Sequence, residues 1–285
     1  MSTVVFHKLS GSGNDFVMLD GRTTRLEDWP TARIAAICDR RHGVGGDGLV
    51  IIDPAGFNAV RMTYFNSDGS EAPMCGNAAL CSTRLAATLE MADPAGMTLV
   101  TGAGSFPTRC VGEGAFAELH LPDTDIPVRV DIPLDAGEIS ISLATVGVPH
   151  VAVVVEDVAK VDLAIRGREI RFHSKLPAGG ANANFVSRIS GGQTSPSTGT
   201  AGVAAPEWTV RTYERGIEGE TLACGTGTVA SALALAVAGK AELPLRFLTA
   251  SGRVLSVSAT IEGTKATEIW LAGEGRRVAM GVWLG

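Results

Sequence analysis

The chain has 285 residues, 45% of them hydrophobic and 19% charged, with a net charge of −6. That length is one large domain or two of ordinary size, with enough apolar residues to fill a core. The acidic balance and the lack of a dense Lys/Arg patch argue against nucleic-acid or membrane partners, and no apolar run approaches the roughly eighteen residues that span a bilayer.

The N-terminal "MSTVVFHKLSGSGNDF" has no basic stretch followed by an apolar one, so the expectation is a soluble, cytoplasmic protein. Short strand-like runs bounded by Gly, Pro and Asp then dominate: "VVFHKL", "GLVIID", "VRMTYF", "FAELHL", "IPVRVDI", "HVAVVV", "NANFVSRI", "WTVRTYE", "VLSVSATI", "ATEIWL" and "VAMGVWL". Three stretches read as helix: Trp29 to Arg40, the one after Cys75 and the one after Cys224. Strand runs with few helices predict an α+β fold. The Ser/Thr/Gly-rich run from Ser190 to Trp208 lies between two strand-like runs and reads as a long mobile hairpin loop without a function.

The sequence echoes itself. "MTYFNSDGSEAPMCGN" from Met62 and "RTYERGIEGETLACGT" from Arg211 each run from Thr-Tyr through a polar turn to Cys-Gly and a helix. Tyr64 precedes Cys75, and Tyr213 precedes Cys224, by the same eleven residues. An Asn-containing piece running into Phe lies upstream of each, "GNDFV" at 13–17 and "NANFV" at 182–186, farther from its cysteine in the first half. The echo predicts two similar lobes, each with one cysteine at a helix start and an extra segment in the first.

Five cysteines, Cys38, Cys75, Cys81, Cys110 and Cys224, are too scattered for a disulfide framework or a zinc site. Cys38, Cys81 and Cys110 read as packing residues. Cys75 and Cys224 differ through their setting. A helix N-terminus can lower a thiol pKa and bind a carboxylate through its N–H groups. Gly76 and Gly225 allow close approach, and Asn77 and Thr226 add polar edges. Two such sites facing one carbon would let one thiolate remove a proton while the opposite thiol delivers another, inverting a stereocentre without a cofactor. His150 begins an apolar strand and reads as either a support for this chemistry or a satisfied strand-end residue. His7, His42, His120 and His173 show no partner pattern, and Asp47 and Asp68 read as turn residues.

In order along the chain, "GSGNDF", "RHGVGGDGL", "YFNSDGSEAPMCGN", "GVPH", "NANFV" and "ERGIEGETLACGTGT" resemble the landmarks of the diaminopimelate epimerase family, from Gly11 to Thr228. The resemblance implies two similar lobes, each a barrel-like, mostly antiparallel sheet around a central helix. It places residues 1–121 in the first lobe, with 277–285 returning to it, and 122–276 in the second. It implies a PLP-independent isomerase of lysine and peptidoglycan precursor synthesis that interconverts LL- and meso-diaminopimelate, commonly as a homodimer. Cys75 and Cys224 would transfer the protons. Asn14, Asn66, Asn182, Glu214 and Arg215 would bind the substrate, and Gly76, Asn77, Gly225 and Thr226 its reacting carboxylate.

Three positions depart from the family pattern. Ala78 stands for a Gly, Leu80 for an Arg, and Val148 for an Asn that touches substrate. Ile217-Glu218 also makes the segment before "GET" one residue longer than is common. Val148 leaves open a racemase or epimerase of the same fold acting on another amino acid, such as histidine or a proline derivative. A thiol hydrolase pairing Cys75 or Cys224 with His150 would leave the second Cys-Gly unexplained, and an anion-binding module would use the two helix starts without chemistry.

Overall fold

The computed structural model describes residues 3–112, 114–189 and 205–285. They fall into two compact units, Met1–His120 with Ala272–Gly285, and Leu121–Leu271.

In the first unit, β1 (Val4–Gly11) and β2 (Asn14–Asp20) form an antiparallel hairpin. Helix α1 (Thr31–Cys38) then carries the chain to β3 (Gly48–Gly56), which lies parallel to β2. β3 turns back into β4 (Ala59–Asn66), and β4 into the two-residue β5 (Glu71–Ala72). Helix α2 (Gly76–Thr88) follows, then β6 (Met97–Thr101) parallel to β4, and β7 (Gly104–Cys110) and β8 (Phe116–Leu121) antiparallel in turn.

The second unit repeats this order of pairings. After the short β9 (Thr124–Asp125) and β10 (Val128–Arg129), β11 (Glu138–Val146) and β12 (Val148–Val155) form the antiparallel hairpin. A π-type turn (Leu163–Gly167) and α3 (Arg168–Arg171) cross to β13 (Asn182–Arg188), parallel to β12. β14 (Trp208–Glu214) and β15 (Gly219–Thr221) run antiparallel, α4 (Gly225–Val237) follows, and β16 (Leu245–Thr249) lies parallel to β14. β17 (Val254–Glu262) and β18 (Lys265–Glu274) complete the series, and β19 (Arg276–Trp283) pairs with β1.

This order corrects one part of the sequence reading. Phe16 lies on β2, the strand before the crossover, whereas Phe185 lies on β13, the strand after it. The two Asn-containing pieces are therefore not counterparts. By topology, β2 with Asn14 matches β12 with Val148 and His150, and no extra segment distinguishes the first unit on that measure. The ends of the Ser/Thr/Gly-rich run do form a hairpin, with Arg188 opposite Trp208. The loop itself, residues 190–204, lies outside the described residues.

Burial explains the sequence patterns. On β12, Val151, Val153 and Val155 join a core with Leu163, Ile170, Phe185 and Tyr213. Alternation turns His150, Ala152 and Val154 to the other face, where α4 packs against β11, β12 and β13. A strand covered on both faces reads as a continuous apolar run. In the first unit α1 covers one face, with Ile34 and Ile37 against Val17, Leu19, Leu49 and Ile51. Helix α2 contacts β1, β3, β4, β6 and β7.

Both central helices are buried nearly all round: nine of thirteen α2 residues and ten of thirteen α4 residues. Their hydroxyls stay satisfied by donating to the carbonyl four residues back: Ser82 to Ala78, Thr83 to Ala79, Thr228 to Cys224 and Ser231 to Gly227, at 2.8–2.9 Å. Strands β2, β6, β7, β11 and β16 and the short β5, β9 and β15 were not anticipated by the sequence reading, and "IPVRVDI" forms only the two-residue β10.

Candidate active site

Cys75 and Cys224 occupy the same position in their units, the residue before the central helix. Each has extended backbone, φ −143° and ψ 119° for Cys75, φ −124° and ψ 107° for Cys224. Each carbonyl accepts the first helical hydrogen bond at 2.9 Å, from Ala79 and Thr228 respectively. Neither sulfur caps its own helix. Each thiol thus sits at the positive end of a thirteen-residue helix, beside N–H groups that the ladder does not use. Cys75 is half-buried and Cys224 buried; the Cys224 Sγ lies 3.8 Å from Thr226 Oγ1. Burial pushes the other three thiols up, Cys38 to about 11.

The start of α2 is tied to the β1–β2 hairpin. Asn77 donates through Nδ2 to Asn14 Oδ1 at 2.7 Å, and Asn14 donates through its own Nδ2 to Asp47 Oδ2 at 3.0 Å. Asp47 Oδ2 also accepts from the Asp15 N–H at 3.1 Å, and Oδ1 from Arg40 at 2.7 Å. Arg40 and Lys8 further pair with Asp15, at 2.5 and 2.7 Å. Asp47 is therefore more than the turn residue the sequence suggested: it fixes the orientation of the Asn14 amide and, through it, that of Asn77. Asp68 does act within its turn, accepting from Ser70 N and Oγ. Asn66 takes no part in the Asn14–Asn77 chain of hydrogen bonds. It accepts from Tyr64 Oη at 3.1 Å and donates to Ser70 Oγ at 3.0 Å, opposite Gly48 on β3.

In the second unit His150 is fully buried, with Nδ1 3.4 Å from the amide nitrogens of Asn182 and Asn184. Burial, with a smaller push from the Arg215 charge, lowers its pKa to about 3, so the imidazole is neutral. Asn182 accepts through Oδ1 from the Arg215 N–H at 2.7 Å, which joins three of the residues singled out from sequence. Glu214 precedes Arg215 at the end of β14. Burial raises its pKa against the opposing hydrogen bond from Thr221.

Asn184 was missed. Fully buried, it donates to the Val151 carbonyl at 3.0 Å and accepts from Thr212 Oγ1 at 2.9 Å. A Cβ on Gly227 would lie 2.1 Å from Asn184 Oδ1 and 3.2 Å from Cys224 Sγ, so this amide backs directly onto the start of α4. The available signal was the second Asn of "NANF", a polar residue inside an apolar strand. Of the departures from the family pattern, Ala78 and Leu80 are fully buried on α2, and Val148 is half-buried at the first position of β12.

The comparisons agree with the internal repeat. The model of the family described as diaminopimelate epimerase matches twice, over residues 6–141 and 142–277. A protein of Gemmatimonas aurantiaca named diaminopimelate epimerase is 40% identical over 291 residues, covering 97% of this chain and 98% of its own. One of the same name from Aquifex aeolicus is 36% identical over 288 residues, covering 97% and 96%. Among solved structures, a phenazine biosynthesis protein of the PhzF family from Bacillus anthracis superposes over the whole of both chains with a TM-score of 0.70 and 16% identity. A hydroxyproline epimerase from Agrobacterium vitis, with bound trans-4-hydroxy-L-proline, gives 0.59 and 17% over 99% of this chain and 93% of its own. At such identity these two structures speak for the fold alone.

Proposed function

The chain belongs to the diaminopimelate epimerase family, and on that footing we propose that it interconverts LL- and meso-diaminopimelate by proton transfer at Cα between Cys75 and Cys224. One cysteine, as thiolate, takes the Cα proton; the bonding pair stays on carbon as a carbanion next to the carboxylate. The other, as thiol, gives its proton to the opposite face of that carbon and becomes the thiolate. One S–H bond forms, one breaks, and the two cysteines exchange protonation states. No redox partner or cofactor enters the balance.

The observation that carries this reading is the duplicated setting of the two cysteines, each leading into a buried helix at the same step of the same topology. The helix starts at Gly76-Asn77 and Gly225-Thr226 hold the reacting carboxylate, where their N–H groups stabilise charge that grows as the proton leaves. Arg215 can fork onto a distal carboxylate, and Glu214 can accept from a distal ammonium. The amides of Asn14, Asn66 and Asn182 supply both donors and acceptors. Neutral His150 supports Asn182 from within the sheet.

The protein works in the cytoplasm as a homodimer in this reading. Support for self-association comes from a row of exposed apolar side chains on β1 and β19, Val5, Val278, Met280 and Val282, with Leu284 just after β19.

The test is deuterium wash-in from D₂O with LL-diaminopimelate. Wild type should place deuterium at Cα as meso product forms, and Cys75→Ser and Cys224→Ser should each lose interconversion. Full turnover by either variant removes the assigned role. Faster exchange on histidine, proline or hydroxyproline would move the substrate elsewhere within the fold, a possibility that Val148 raises.

A further inference from the structure

Arg171, at the end of α3, is 6% exposed, and its guanidinium reaches two different segments of the second unit. Nη1 donates to the Gly179 carbonyl at 2.6 Å, and Nη2 to Glu218 Oε1 at 3.0 Å. The Arg171 carbonyl also accepts from the Ala181 N–H at 3.3 Å, and its guanidinium carbon stands 4.4 Å from the centre of the Phe172 ring. One target segment leads directly into Asn182. The other is the turn after Glu214 and Arg215.

That turn is held in an unusual shape. The Glu218 N–H donates to the Glu214 carbonyl at 2.8 Å and closes it. Gly216 has φ +92° and Glu218 φ +53°, two left-handed residues within three positions. Glycine adopts that region freely, whereas for a glutamate it is uncommon and carries a cost. The Glu218 side chain offsets the cost: Oε1 accepts from the Gly216 N–H at 3.1 Å as well as from Arg171. The Asn182 side chain meets the same turn at the Arg215 N–H, 2.7 Å away.

We propose that Arg171 and Glu218 are positioning residues that set recognition of the substrate's non-reacting head group. They lock the Glu214–Glu218 turn, with Arg215 and Glu214 on it, against the segment that carries Asn182. The inference rests on the assignment of Arg215 and Glu214 to that head group.

Steady-state kinetics with LL-diaminopimelate on Arg215→Met, Arg171→Met, Glu218→Gly and the Arg171→Met/Arg215→Met pair tests it, with thermal melts on each. A folding defect lowers the active fraction and hence apparent kcat while leaving KM alone; a misplaced binding group raises KM. Arg171→Met and Glu218→Gly should each raise KM about ten-fold, the lower end of what a hydrogen bond to a charged group contributes, with kcat nearly unchanged. Adding Arg171→Met to Arg215→Met should raise KM little further. A KM raised by Arg215→Met but unmoved by Arg171→Met and Glu218→Gly overturns the proposal and leaves the head-group assignment standing. A KM unmoved by Arg215→Met overturns the assignment and the proposal with it. If Arg171→Met does not fold, Glu218→Gly decides alone, because glycine suits φ +53° and removes the side chain that Arg171 and Gly216 hold without straining the backbone.

Discussion

Asn77 on the first turn of α2 and Asn14 at the start of β2 face each other through a 2.7 Å hydrogen bond, although sixty-three residues separate them. The amide direction is fixed from behind. Asp47 can only accept from Asn14 Nδ2, so Asn14 must turn its oxygen to Asn77. The helix start beside Cys75 is thereby anchored to a rigid hairpin.

Asp47→Ala should therefore lower kcat/KM by about ten-fold or more, because it frees the amides of Asn14 and Asn77 from the orientation the proposed site uses, and a hydrogen bond to a charged group contributes about 1.5–3 kcal/mol. The fold should survive, because the Asp47 and Arg40 side chains are 35% and 59% exposed, so water replaces much of what the carboxylate supplies. Arg40→Met is the control: it removes the ion pairs of Arg40 to Asp47 and Asp15 and spares the Asn14–Asp47 contact. Equal activity in the two variants would show that Asp47 acts only through Arg40.

Gly227→Ala should destabilise the protein, against the ordinary rule for helices. Ala exceeds Gly in a helix interior by about 1 kcal/mol, but a Cβ here falls 2.1 Å from Asn184 Oδ1. Asn184 has no space to withdraw into, being fully buried and held by Val151 and Thr212. Overpacking of this kind costs about 1–3 kcal/mol, so a lowered melting temperature together with lowered activity is expected. A raised melting temperature would mean that the Asn184 amide shifts freely.

The matched placement of Cys75 and Cys224 before their helices was legible because its signal is local and repeated: an eleven-residue spacing from Tyr, then Cys-Gly, then a helix. The α+β class was legible from short runs between turn residues. What failed were relations across the chain. Asparagine running into Phe recurred in text, but so short a likeness does not say on which side of a crossover a strand lies, and the pairing of β12 with β13 put Phe185 there. Asp47 sits in a Gly-rich loop where any Asp reads as a turn former; only the fold brings it to Asn14. Arg171 lies in an ordinary charged stretch, and nothing near it in sequence announces Glu218. β11 could have been found, since "EISISL" alternates over six residues, while β7 contains Pro107 and few apolar residues.

Acid should destabilise the protein in two separable windows. His150 has a pKa of about 3 in the fold, depressed chiefly by burial, against 6.5 for an unperturbed imidazole. The unfolded chain therefore binds the proton more readily. The stability that neutral His150 contributes is complete above 6.5 and falls as pH drops from 6.5 towards 3, by about 1.4 kcal/mol per pH unit. His7, lowered by burial and then by Arg277, adds in the same direction. Asp15 behaves differently. Burial raises its pKa, but the hydrogen bonds and charges of Arg40 and Lys8 outweigh that and hold it at about 2 against 3.8. Its contribution is complete above 3.8 and is lost only between there and 2. Urea midpoints at constant ionic strength should thus fall between pH 6.5 and 4 in wild type. They should fall less steeply in His150→Asn. Asp15→Asn should keep the wild-type slope above pH 4 and flatten below it. A wild-type slope in His150→Asn throughout pH 4–6.5 would mean that the imidazole is charged or solvated in the folded protein, contrary to its burial.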